Sequence, residues 1–152
     1  MFVPQDFEPP RCLQATAPAG DVFRLEPLGV EHNERDHRAW TSSIDHIRAS
    51  PGFAGRAWPH PMTLEENAGD LTAHAEDFAA RRGFMYTVLD EADDVIGCVY
   101  IYPDDDGVCG ARVRSWVRAD RAALDAVLRR TVADWLRAVW PFTTVNYDGV
   151  GE

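Results

Sequence analysis

The order strand, strand, strand, helix, strand between Phe84 and Tyr147 predicts an α/β domain, one sheet with helices packed on it. Two apolar runs, FMYTVLDE at 84–91 and VIGCVYIYP at 95–103, flank the acidic turn Ala92-Asp93-Asp94 and read as a hairpin. A third strand, GARVRSWVR at 110–118, is reached through Asp104-Asp105-Asp106-Gly107. A helix opens directly after Asp120, and the β-rich FTTVNY at 142–147 closes the unit. The helix start behind the third strand matters most, because exposed N–H groups there can hold an anion such as a pyrophosphate.

The elements before Phe84 follow from periodicity and breakers. Residues 1–20 carry Pro4, Pro9, Pro10 and Pro18 without sustained periodicity and predict an extended arm rather than an element. Phe2, Val3 and Phe7 give that arm something to bury against the single domain of residues 21–152. A helix is predicted over about 30–49, with Trp40, Ile44 and Ile47 on one face and Ser42-Ser43 inside it; Ser50-Pro51-Gly52 ends it. A second begins with a capping box between Thr63 and Glu66, continues through Leu64, Ala68, Leu71, Ala75 and Phe78, and stops at Gly83. The third, 121 to about 139, buries Leu124, Val127, Leu128, Val132, Trp135, Leu136 and Val139.

At 152 residues the chain has the size of one domain, and no internal repeat divides it. A net charge of −10 argues against general affinity for nucleic acid, where Lys and Arg must neutralise phosphates, and would attract a cationic substrate. Cys12, Cys98 and Cys109 form no CxxC pair and imply no disulfide framework, which fits a reduced cytoplasm. Neither a signal peptide nor an apolar run of ~20 residues is evident, so no membrane association is expected.

Four features bear on chemistry. The loop PGFAGRAWPHPM at 51–62 crowds Phe53, Trp58, His60 and Met62 among prolines and glycines, as ligand-binding loops do; Trp58 and Met62 equally suit a plug at a helix junction. None of the five histidines pairs at i, i+3 or i+4 with another, so no metal is expected, and His60 alone is a candidate base. There is no GxSxG elbow, Walker sequence or GxGxxG, and Cys98 reads as a small buried hydrophobe. Alternation in the third strand puts Arg112, Arg114, Trp116 and Arg118 on one face, fit to hold an anion or to pair with Asp104, Asp105 and Asp106.

The element order and the phrase YTVLDEADDVIGCVYIY resemble the core of the Gcn5-related N-acetyltransferase (GNAT) family over about 22–147, with VFRLEPL at 22–28 similar to the family's first strand. The resemblance implies a GNAT-like mixed, mostly antiparallel sheet with helices on both faces. It also implies transfer of an acetyl group from acetyl-CoA to an amine of a small molecule. Family members carry Arg/Gln-x-x-Gly-x-Gly/Ala at the pyrophosphate; with Arg121 on its first position, Leu124 stands where the first glycine belongs and Ala126 on the small position. By the same resemblance Ser115 and Val117 offer backbone groups to the pantetheine arm, and Arg118, Arg121 and Ala126 attend the phosphates. Trp58, Tyr100 and Trp116 would line the acceptor site, with His60 as base. The altered glycine and two nearby aspartates, Asp120 and Asp125, equally suit the alternative, a non-catalytic GNAT-like module that binds a ligand or a protein. A sheet ending at 142–147 leaves an edge that a homodimer or the N-terminal arm would cover.

Overall fold

The computed structural model describes residues 2–104 and 110–150. Asp105, Asp106, Gly107 and Cys109, part of the sequence reading above, lie outside those residues. The strands are β1 (Leu13–Thr16), β2 (Val22–Pro27), β3 (Phe84–Asp90), β4 (Val95–Pro103), β5 (Gly110–Val117) and β6 (Thr144–Tyr147). The helices are α1 (Asn33–Thr41), α2 (Ile44–Ala49), α3 (Leu64–Ala79) and α4 (Asp125–Val139), with short 3₁₀ turns at Val30–His32 and Ala119–Leu124.

One sheet runs in sequence order from β1 to β6. Each neighbour is antiparallel except β5 and β6, which are parallel because α4 crosses between them. The β3–β4 turn is fixed by Asp90, whose Oδ1 accepts the N–H groups of Ala92 (2.9 Å) and Asp94 (3.0 Å). Ile96 is the extra residue of a bulge, since Val88 pairs with Gly97 and Leu89 with Val95.

Every residue of β3 is buried, because the sheet is covered on both faces. On one face α4 and the N-terminal segment pack over Phe84, Tyr86, Val99, Ile101 and Val113; on the other, α1, α2 and α3 cover Met85, Leu89, Cys98 and Trp116. Cys98 is a buried hydrophobe, and burial raises its thiol pKa well above the ordinary value.

Four expectations are corrected here. The arm is not free of structure: β1 pairs with β2, and Phe2, Val3 and Phe7 join the α4-side core. Nor does it pair with β6: β1 lies at the opposite end of the sheet, while Phe2 packs on Phe142 just before β6. The predicted first helix breaks at Ser42–Ser43, where the Thr41 and Ser42 hydroxyls bond the His37 and Ala39 carbonyls and Ser43 leaves helical φ/ψ. The left-handed residue after α3 is Arg81 (φ 62°), not Gly83; Gly83 is required instead because a Cβ there would stand 2.7 Å from the Tyr102 ring.

The capping box at α3 forms as its spacing predicts, Glu66 N–H to Thr63 Oγ1 at 3.0 Å and Thr63 N–H to Glu66 Oε1 at 2.9 Å. Thr63→Ala is expected to cost about 1 kcal/mol in denaturant melts. Among the described residues no helix is long and apolar enough to cross a membrane, and no cluster of His, Cys, Asp or Glu is placed to hold a metal.

Candidate functional site

On the α3 face of the sheet lies a cavity of about 290 Å³. Helix α3 presents Asn67, Asp70, Leu71, His74 and Asp77 to it, a spacing that keeps one helical face turned inward. Tyr100 of β4, Arg114 of β5, Asp36 of α1 and Trp58 of the 51–62 loop complete the walls.

The acid end is built from a hydrogen-bonded chain. Trp40 Nε1–H donates to Asn67 Oδ1 (3.0 Å), and Asn67 Nδ2–H donates to Asp36 Oδ2 (3.0 Å). Burial pushes the Asp36 carboxyl up to about 6, against the Asn67 bond and the neighbouring His32 and His37. The walls are aromatic: Trp58 packs on Trp40, Phe53 and Trp116 at 5.4, 5.9 and 6.1 Å between ring centres. Trp116 Nε1–H donates to Tyr100 Oη at 3.0 Å, which fixes the phenol.

At the other end Arg114 lies over the Tyr100 ring (5.4 Å) and the Phe53 ring (5.8 Å). Burial lowers its pKa, and nearby Arg56 lowers it further. His74 sits beside Tyr100, with its Nδ1 3.2 Å from Tyr102 Oη, and burial lowers its pKa against the pull of Asp70 and Asp77.

The region expected to meet a coenzyme is arranged differently. The β5–β6 pairing ends at Val113–Tyr147, so Ser115 and Val117 lie beyond it. Arg118 N–H bonds Ile96 O on β4, so by alternation the backbone groups of Ser115 and Val117 turn to the β6 side. Groups from both faces of the sheet border the gap. Toward α4, Ser115 Oγ and Tyr147 Oη are hydrogen-bonded at 2.6 Å and buried. On the opposite face Gly52 lies so close to Arg114 and Asp148 that a Cβ would meet both, and Gly149 lies against Pro51.

At the helix start, Ala119 N–H donates to Ser43 Oγ (2.8 Å), Arg121 N–H to Arg118 O (2.8 Å) and Asp125 N–H to Ala122 O. His46 Nε2 lies 2.8 Å from Asp125 Oδ2 and joins α2 to the first turn of α4. Arg118 binds Asp120 and Asp94 at 2.6 and 2.9 Å, and Arg121 binds Asp90 at 2.8 Å. Leu124 is buried in the core, and Ala126 is exposed beside Arg129 and Arg130.

Of the residues named from sequence, Trp58 and Tyr100 line the cavity, and Trp116 lies beneath them in the core. His60 is exposed, with its Nδ1 3.1 Å from the Pro61 carbonyl oxygen, and is absent from the cavity wall. The strand-face arginines divide: Arg112 pairs with Asp148 and Arg118 with Asp94 and Asp120, while Arg114 enters the cavity. Sequence reasoning missed Asp36, Asn67, Asp70, His74 and Asp77. The readable signal was the polar stripe 67, 70, 74, 77 running beside Leu71 on a helix face that periodicity assigned to the core.

This architecture is that of the Gcn5-related N-acetyltransferases: the chain has the GNAT fold. No protein-family model and no curated protein matches its sequence. Among solved structures it is similar to the ribosomal-protein-S5-alanine acetyltransferase of Vibrio fischeri, with a TM-score of 0.60 and 14% identity over 82% of this chain and 67% of that one. Mycobacterium smegmatis RimJ, in complex with CoA-disulfide, has a TM-score of 0.64 and 16% identity over 84% and 62%. The microcin C7 self-immunity acetyltransferase MccE, in complex with acetyl-CoA and AMP, has a TM-score of 0.58 and 10% identity over 78% and 65%. The chain thus spans about two thirds of their length or slightly less. At these identities the likeness is one of fold.

Several groups that could meet the coenzyme's pyrophosphate are already engaged within the protein in this arrangement. A pyrophosphate at a helix start needs donors turned to it and positive charge in reserve. Here Ala119, Arg121 and Asp125 commit their N–H groups within the protein, and both arginines are held by carboxylates.

Proposed function

We propose that the chain binds a small primary amine in the cavity between α3 and the sheet, as a ligand-binding module on an acetyltransferase fold. The observation that carries this reading is the contrast between two places. The cavity keeps carboxylates, aromatic walls and open volume, whereas the strand gap and helix start bond to themselves. An ammonium suits such a site, because carboxylates supply charge and Trp58 and Tyr100 supply π faces.

Acyl transfer from acetyl-CoA to that amine is the second reading. It is supported by the fold, by the coenzyme complexes among the neighbours, and by Ser115 and Val117 lying beyond the reach of β6.

Calorimetry separates the two. n-Pentylamine is expected to bind with a Kd of roughly 0.1–1 mM, about −4 to −5.5 kcal/mol, and acetyl-CoA to give no heat at millimolar concentration. Amine-dependent release of free coenzyme thiol would establish the second reading. Leu124→Gly, which restores the motif's glycine, is expected to gain no affinity for acetyl-CoA and to lose about 3–4 kcal/mol of stability, since Leu124 is buried. Tight acetyl-CoA binding by this variant would identify the lost glycine as the obstacle.

A further inference from the structure

The cavity's acid end accounts for an ammonium, but Arg114 is left over. Its Nε is buried and has no hydrogen-bond partner, and no ion pair of Arg114 occurs among the described residues. A guanidinium in that position normally meets an acceptor, and leaving a buried donor unpaired costs stability. Asp148 is close: Arg112 holds its Oδ1, and its Oδ2, buried and likewise without a hydrogen-bond partner, makes no ion pair with Arg114. Arg56 adds a second positive charge beside Arg114.

The two ends are ordered along α3. Asn67 and Asp70 adjoin Asp36, while His74, one turn on, stacks by Tyr100, over which Arg114 lies. One to two helical turns separate the acidic from the cationic end, roughly 5–10 Å. Asp77, the remaining carboxylate at the cationic end, is bound by Arg82 at 2.9 Å.

Resting on the amine-binding reading, we propose that the ligand is a small zwitterion: its ammonium lies at Asp36 and Asp70, and its carboxylate binds Arg114. The carboxylate supplies the acceptor that Arg114 Nε lacks, and a forked guanidinium takes a carboxylate through two donors. The spacing favours an ω-amino acid or a dipeptide over an α-amino acid, whose two charges lie too close together to reach both ends.

The test is calorimetric titration of the full chain with 5-aminopentanoate, n-pentylamine, pentanoate and 1,5-diaminopentane. These probes share one chain length and differ only in their end groups. The zwitterion is expected to bind 10–100-fold tighter than pentylamine, and pentanoate and the diamine more weakly still. Arg114→Gln is expected to erase the zwitterion's advantage over pentylamine. Asp70→Asn, at a solvent-exposed position of the cavity wall, is expected to weaken both amines at least fivefold without affecting the fold. Equal binding of pentylamine and 5-aminopentanoate overturns the zwitterion proposal and leaves the amine site standing. Tighter binding of the diamine also overturns it. Absence of binding by every amine removes the underlying reading as well. If Arg114→Gln unfolds, Arg114→Lys keeps the charge and loses the fork, and an undiminished zwitterion preference there counts against the carboxylate contact.

Discussion

Removing the first ten residues is expected to lower stability by about 3–5 kcal/mol, a fall in Tm on the order of 10 °C. Val3 is 1% exposed, Phe2 stacks between Phe84 and Phe142 at 5.7 and 5.2 Å, and Phe7 packs on Trp140 at 5.1 Å. Truncation bares that aromatic surface and leaves two polar groups without partners. Tyr86 Oη–H donates to Pro10 O (2.7 Å), and Arg81 Nη2 bonds the carbonyls of Pro4 and Phe7 (2.6 and 2.7 Å). A longer deletion, of the first twenty residues, also removes β1 and exposes the pairing edge of β2. The shorter variant should therefore melt early yet sediment as the intact chain does. The longer one should associate in a concentration-dependent way. Unchanged melting of both would show that this segment adds nothing to the core it covers.

Asp36→Asn is expected to stabilise the fold by about 1–3 kcal/mol at pH 8 and to weaken amine binding at least tenfold. The sign follows from the raised carboxyl. Its ordinary value is 3.8, and burial takes it to about 6 in the folded state. Between those values the folded protein holds a proton that the unfolded chain has lost, so this group's contribution falls as pH rises through the interval. The full worth of that shift is roughly 3 kcal/mol. It is present below about pH 4 and gone above about pH 6. The measurement is the difference in unfolding free energy between the two proteins from pH 4 to 8, which cancels the other carboxylates. A difference that stays flat would show that Asp36 is not strained by its surroundings. A buried carboxylate that lowers stability at neutral pH is the pattern of a residue kept for a ligand.

Much of this fold could be read in the sequence. Strands 84–91, 95–103 and 110–118 were legible because they are largely buried and their turns carry Asp or Gly. Thr63 and Glu66 placed the start of α3 to the residue, since a capping box depends only on local spacing. What failed was decided at long range. Ser42 and Ser43 look helical until Ala119, 76 residues away, supplies the N–H that Ser43 accepts. β1 is a four-residue strand amid prolines, recognisable only beside β2. The cavity was half legible: Trp58 and Tyr100 stood out as large side chains in informative places. Asp36, buried and bonded by Asn67, looked like one more charge on an acidic helix. Arg114 was indistinguishable from Arg112 and Arg118 until each met, or failed to meet, a carboxylate.

The bonds from Ser43 and His46 to the start of α4 tie two distant places to one piece of chain. Helix α2 leads directly into the 51–62 loop, and that loop carries Trp58 into the cavity wall. An event that frees the α4 start breaks the Ser43 and His46 bonds that hold α2, next to the loop that shapes the proposed amine site. Occupancy of the cavity and release of the α4 start are therefore expected to be linked equilibria. Thermodynamic reciprocity requires that whatever one does to the other is returned by the same factor. A bound amine that steadies Trp58 would hold the α4 start in place, slowing amide hydrogen exchange in α2 and at Ala119. Faster exchange there would mean that the ligand unlocks the fold's other face.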